Sequence, residues 1–210
     1  MSTTTMTPEQ RVSKVFEILK TGNKKEHVSG KMTQLDHALR VAQLAMNGDA
    51  DEETVLAGLT IDIGHLITPS MVNADGDYYI YYQVTDQAGN RSAIDHGRLG
   101  ADYLRQTGFS NKTSELVESN IMAKRYLLST GFNFQIGPND GNIVLASMKL
   151  GLLSPTEKHD FEKDPLFKQK VQLAKWNDAA VNTTEVKPPV LDTYRDMAIK
   201  NLLMSMKTLY

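Results

Sequence analysis

Residues 33–64, TQLDHALRVAQLAMNGDADEETVLAGLTIDIG, decide the fold. Leu35, Leu39, Ala42 and Met46 recur at helical spacing behind Thr33, and Asn47-Gly48 ends the run. A further pattern opens at Asp51, carries Val55, Leu56, Leu59 and Ile63, and closes at Gly64. Upstream, Thr7-Pro8 sets a capping residue before a proline at the first helical position, and Val12, Val15, Phe16 and Leu19 follow until Gly22. These three segments predict a helical core unit.

Helical signals dominate the rest of the chain. They run from Asp95 to Gln106 with Gly108 as the stop, from Lys112 or Thr113 to Ser129, and over a shorter stretch from Asn142 to Leu150. Ser154-Pro155-Thr156-Glu157 reads as another helix start, Asp164-Pro165 as the next, and a last helix spans about Leu191 to Leu209. Residues 66–93 break the pattern with Pro69, Gly76 and the run Tyr78 to Tyr82, which predicts a long loop or a short hairpin. The fold class is all-α: one helical domain over 7–210 with a single irregular insertion, behind a polar, disordered tail at 1–6.

Composition narrows the function. With 210 residues, 40% of them hydrophobic, one sizeable core suffices. A net charge of −2 without a basic block excludes a phosphate-backbone footprint, so nucleic acid is not an expected partner. The absence of cysteine removes disulfides, thiolate nucleophiles and sulfur-based metal sites. No signal sequence or membrane-length apolar run stands out, so a cytoplasmic protein with a small-molecule substrate and no membrane partner is expected.

The motifs carry more. QLDHALRVAQLA (34–45), DIGH (62–65), DHGRLGADYLRQTGF (95–109), AKRYL (123–127), Lys175-Trp176 and PPVLDTYRDM (188–197) together resemble the HD-domain superfamily over about residues 30–200. Within it, the chain is most similar to the mixed-valent di-iron oxygenases that cleave carbon–phosphorus bonds in hydroxylated aminoethylphosphonates. The resemblance implies a helical fold around two irons held by four histidines and two aspartates, one aspartate bridging both. His37, Asp62 and His96 match such ligands. Ile61, Asn120 and Asn177 stand where the family has histidine, histidine and aspartate. The resemblance also implies that His65 and Lys124 hold the acidic head of a substrate, and Lys149 departs from the glutamine usual at its place.

An isoleucine has no lone pair to offer, and amides replace an imidazole and a full negative charge, while geometry more than affinity selects iron. The expectation is therefore a degenerate metal site with no cofactor, His37, Asp62 and His96 being residual ligand candidates. Catalysis is assigned to Lys124, His65, Asp62, His37 and His96, and substrate contact to Ile61, Asn120, Asn177, Lys149 and Tyr126. Arg125 reads as structural and Trp176 as core. A buried carboxylate without a cation tends toward a raised pKa, and the sequence leaves Asp62 open between ionised and protonated.

Such a pocket suits metal-independent isomerisation or cyclisation, including a pericyclic cycloaddition, of a mainly apolar carboxylate or carbonyl compound in secondary metabolism. Two alternatives stand beside that expectation. One is an iron-dependent HD-domain oxygenase or phosphohydrolase acting on a phosphonate or phosphate ester; the other is a non-catalytic small-molecule-binding protein.

Overall fold

Short polar side chains fix where the helices begin. Thr7, Thr33, Asp51, Asp95, Ser110 and Ser154 each accept a backbone N–H three residues on, satisfying a donor that would otherwise lack a partner. At Thr7 and Ser154, Gln10 and Glu157 reach back to complete reciprocal capping boxes, each with proline in the first turn. A computed structural model of the chain describes residues 6–27, 29–67, 71, 83–85, 91–134, 152–182 and 187–207. Among these the helices are α1 (Pro8–Thr21), α2 (Gln34–Asn47), α3 (Glu52–Thr60), α4 (His96–Thr107), α5 (Asn111–Glu118), α6 (Asn120–Ser129), α7 (Pro155–Glu162), α8 (Phe167–Ala179) and α9 (Arg195–Lys207).

The fold is nearly all helical, as expected. Strands Gln83–Thr85 and Arg91–Ile94 pair antiparallel as a short ribbon with a register shift at Val84/Thr85, inside the segment read as a loop or hairpin. Residues 1–5, the tyrosine run at 78–82, and 142–150 with Lys149 lie outside the described residues. No helix among the described residues is long and apolar enough to cross a membrane.

Four boundaries differ from the sequence reading, the first being α3, which ends at Thr60 with a separate 3₁₀ turn over Ile63–His65 in place of a helix to Gly64. The helix expected from residue 112 or 113 to Ser129 is two helices, α5 and α6, hinged at Ser119, whose Oγ donates to the Leu116 carbonyl and competes with the helical ladder. Asp164 does not cap α8; Leu166 does, while Asp164 accepts the Leu166 N–H at 2.7 Å and pairs with Lys170. The final helix starts as a tight 3₁₀ turn over Leu191–Tyr194 before α9.

The apolar stripes meet in one main core. α2 packs on α3, α3 on α5, α4 on α5, α8 on α2 and α6, and α1 on α9. Phe16, Val41, Leu56, Leu104, Leu116 and Leu202 are buried at its centre. A smaller cluster joins α6, α7 and α8 through Leu127, Phe161, Ala174 and the partly buried Phe167. Trp176 packs half-buried against the main core, as its reading as a core residue required. Its ring also explains Gly48: a Cβ there would sit 2.5 Å from Trp176 Cζ2, while the left-handed turn after α2 falls on Asp49, at φ 55°. Gly48 thus serves close packing more than backbone freedom.

Candidate metal centre

The end of α3 sorts two adjacent residues to opposite sides, because neighbours on a helix point about 100° apart. Ile61 turns inward, 2% exposed within the main core. Burying such a side chain contributes roughly 1.5–3 kcal/mol, so a position that is a ligand in the resembling family here supports the fold. Asp62 turns the other way and opens the 3₁₀ turn Ile63–His65. That turn lies against α4 with no room to spare: a Cβ on Gly64 would fall 1.9 Å from the His96 carbonyl oxygen.

Two stacked pairs of imidazoles flank Asp62. His37 of α2 and His27 lie with ring centroids 3.9 Å apart and planes 14° apart. His65 and His96 stack at 3.9 Å and 29°. Four of the chain's five histidines fall in these two pairs, of which His27 and His37 reach Asp62 Oδ2 within 4.0 Å, while His159 on α7 stands apart.

His27 comes from a tight loop over residues 25–33. His27 N–H donates to the Met32 carbonyl at 2.8 Å and Gln34 N–H to that of Lys25 at 2.9 Å, with Gly30 in the left-handed region at φ 68°. Lys25 Nζ donates to the His65 carbonyl at 3.2 Å, tying the loop to the turn after Asp62. Buried Ser29 places its Oγ 2.9 Å from His27 Nδ1.

His37 is the most informative side chain. It is 1% exposed, and its Nε2 lies 3.0 Å from the backbone carbonyl of Asn177. A carbonyl only accepts, so Nε2 donates, and a neutral His37 presents the Nδ1 lone pair on its other edge. That Nδ1 lies 3.0 Å from Asp62 Oδ2. Yet it makes no hydrogen bond of acceptable angle among the described residues. A proton on Nδ1 or a bound cation each reconciles that edge with the carboxylate, and the bond from the far nitrogen to a backbone carbonyl is how metal-bound histidines are commonly oriented.

His27 Nε2 lies 4.0 Å from the same Oδ2. The ligand atoms of His27, His37 and Asp62 all fall within 4.8 Å of one another. Two donors at about 2.0–2.2 Å from a shared ion lie about 3 Å apart at a right angle and about 4.2 Å apart when opposite, so the 3.0 and 4.0 Å spacings are within reach of one ion once one of the two near-parallel rings turns to bring its lone pair toward the other. Two imidazoles and one carboxylate are also the donor set that suits non-haem Fe(II) with open positions.

Electrostatics agree with that chemistry. Burial pushes His27 down to about 3, helped by His37 and Lys124 and opposed by Asp62. Desolvation likewise lowers His65 to about 4, with Asp62 opposing and His96, Lys124 and Lys25 assisting. Both rings are therefore neutral near pH 7, as ligand imidazoles must be. For Asp62, desolvation acts to raise the pKa, but the 3.0 Å contact with His37 Nδ1, with the positive field of Lys124 beside it, holds it well below the usual carboxylate range. The open question falls on the ionised side: the His37 contact and neighbouring positive charge outweigh burial.

The other expected site residues are distributed as follows. Lys124 of α6 acts on His27, Asp62 and His65 alike, so its ammonium shares their field. His96 donates Nδ1–H to the Gly64 carbonyl at 3.1 Å. Asn120 and Asn177 bond to each other, Nδ2 of Asn177 to Oδ1 of Asn120 at 3.3 Å. Tyr126 stacks edge-on with Phe167 and donates to Glu162 at 2.9 Å, within the smaller aromatic cluster. Arg125 pairs with Glu157 at 3.5 Å, in keeping with a structural role. His27 went unread in the sequence, since it belongs to none of the quoted motifs. The scarcity of histidine and its place ten residues before His37 were the signals available.

The class these features define is a helical domain with a His/Asp centre at a helix end, and comparison with known proteins agrees. The chain is 28% identical over 188 residues to a hydroxymethylphosphonate dioxygenase of Gimesia maris, covering 90% of this chain and 86% of that protein. It is 24% identical over 164 residues to a [1-hydroxy-2-(trimethylamino)ethyl]phosphonate dioxygenase (glycine-betaine-forming) of Leisingera caerulea, covering 78% and 76%. An uncharacterized protein of Acanthamoeba polyphaga mimivirus is 27% identical over 194 residues, covering 92% and 82%. No protein-family model matches. The named relatives support the HD-domain superfamily. They also overturn the expectation of no cofactor: these are dioxygenases, and His27, His37 and Asp62 form a donor set suited to a metal.

Proposed function

We propose that this chain is an iron-dependent HD-domain oxygenase that cleaves the carbon–phosphorus bond of a small phosphonate hydroxylated next to phosphorus. The observation that carries this reading is the buried Nδ1 of His37, without an acceptable hydrogen bond among the described residues and facing Asp62 with His27 beside it. Similarity over 90% and 78% of the chain to two phosphonate dioxygenases supports the substrate class. The metal site is reduced relative to the resembling family, with Ile61 given to the core and Asn120 and Asn177 paired with each other. The dioxygenase relatives support the oxygenase alternative better than a metal-independent isomerase or cyclase.

Iron held at this centre supplies the activation of dioxygen that no side chain can perform. The protein does the rest. The Asn177 carbonyl fixes the tautomer and tilt of His37. Lys124, whose charge reaches Asp62 and His65, binds the phosphonate dianion by charge-assisted hydrogen bonds, and His65 adds a neutral contact to it. The main core behind Ile61 closes the inner side of the centre to water. Overall, both atoms of dioxygen enter products, so hydroxymethylphosphonate would yield formate and inorganic phosphate.

The test is anaerobic loading of the purified chain with Fe(II), then addition of hydroxymethylphosphonate and oxygen, with phosphate release and oxygen uptake measured together. Equal amounts of both are expected. Phosphate from a phosphate ester without oxygen uptake would make the chain a phosphohydrolase, and neither product from any phosphonate would overturn the proposal.

A further inference from the structure

We infer that this chain holds a single metal ion on His27, His37 and Asp62, with His27 supplying from the 25–33 loop the imidazole that Ile61 cannot. The inference rests on the metal-dependent reading above and goes beyond it, because the resembling family holds two irons.

Three observations carry it. First, His27, His37 and Asp62 are the sole group of three or more His, Asp or Glu donors with mutual ligand spacing suited to an ion among the described residues. Second, the other side of Asp62 has lost its supporting donors. His96 has one ring nitrogen committed to the Gly64 carbonyl. Its neighbour His65 stacks on it, and the two asparagines bond to each other. One imidazole and a shared carboxylate are too few to fix the geometry that selects a transition metal. Third, the His27 loop is built to present a ring. Its turn is closed by backbone hydrogen bonds on both sides of His27. The fully buried Ser29 Oγ lies 2.9 Å from Nδ1 and can take Nδ1–H when an ion occupies Nε2. Ser29 N–H also reaches Nδ1 at 3.2 Å, so metal binding selects the tautomer in which Nδ1 donates to the hydroxyl.

The Ile61 side chain and the His27 loop thus make one exchange. The ligand lost from the end of α3 becomes core, and a residue distant in the motif pattern replaces it from above the ring of His37.

The experiment titrates the metal-free full-length chain with Fe(II) under anaerobic conditions, reading bound metal by elemental analysis after desalting. Mn(II) serves as a paramagnetic probe of nuclearity. One ion per chain with an isolated-ion Mn(II) spectrum is expected. His27→Ala should weaken binding at least about 100-fold, while His96→Ala should keep one ion with affinity within about twofold. His27→Gln, with circular dichroism to verify folding, guards against a collapsed loop in the alanine variant, and should weaken binding as well. Two ions with a coupled Mn(II) spectrum, or one ion retained by both His27 variants and lost in His96→Ala, would refute the inference and leave the metal-dependent function standing. No ion in the folded wild-type chain would remove both.

Discussion

The two imidazole pairs beside Asp62 are alike in stacking and opposite in consequence. In each, one ring is tied through an N–H to a backbone carbonyl, His37 to Asn177 and His96 to Gly64. His37, however, turns its second nitrogen onto the carboxylate and has His27 alongside, whereas His96 joins no set of three donors among the described residues. A tautomer held by a backbone carbonyl is therefore not enough to make a metal position; convergence of further donors decides it. The comparison also shows how little sequence change separates a ligand from a core residue, since Ile61 and Asp62 are neighbours with opposite surroundings.

The strongest way to break the comparison is to remove the carboxylate that His27 and His37 approach. Asp62→Asn keeps the shape and should abolish stoichiometric metal binding and lower turnover by roughly 1,000-fold or more, read by metal content and phosphate release. Next in size is Gly64→Ala, which forces a Cβ onto the His96 carbonyl. It should cost about 3 kcal/mol and lower Tm by about 6–12 °C, because backbone cannot yield as a side-chain end does. If Tm is unchanged, the His65–His96 side is looser than its close contact implies.

Lys124→Ala separates anion binding from metal binding. It should reduce kcat/KM by about 10–100-fold, mainly through KM, with metal content unchanged. The combined change Ile61→His, Asn120→His and Asn177→Asp would rebuild the poorer side and should raise uptake toward two ions per chain. It should also lose about 2 kcal/mol of stability from the exchange at Ile61. Uptake that stays at one would mean the second position has diverged in backbone as well as side chains.

The smallest effect lies away from both pairs and sets the scale of an ordinary buried polar group. Tyr194 is fully buried, and its hydroxyl has no partner among the described residues. Tyr194→Phe should therefore be neutral or stabilising by about 1 kcal/mol in urea melts. Burial also pushes the phenol up to about 12. An unfolded tyrosine titrates near 10, so its contribution is present below that pH and is lost as pH rises toward 12. The phenylalanine variant should lack that part of the alkaline loss; an identical alkaline limb would mean the hydroxyl has a partner.

Helix positions were legible because period and caps are local: Thr33 with Gly48, Asp51, Asp95 and Ser154 announce their own ends. The break at Ser119 was not, since a serine within an apolar periodicity bends a helix only when its hydroxyl turns back on the ladder. At the site, His37, Asp62, His65, His96 and Lys124 could be picked out by resemblance. The direction of the Asp62 shift could not, because burial and neighbouring charge oppose each other and only distances show which prevails.

The sequence by itself determined an all-helical chain and a set of histidines, an aspartate and a lysine able to serve one centre, because periodicity and residue chemistry are properties of short stretches. Only the tertiary structure decided which of them converge. It brought His27 across a ten-residue interval onto His37, turned Ile61 into the core, and paired Asn120 with Asn177. Ligation depends on distances of a few ångströms between side chains, and those are set by how the helices and the 25–33 loop pack.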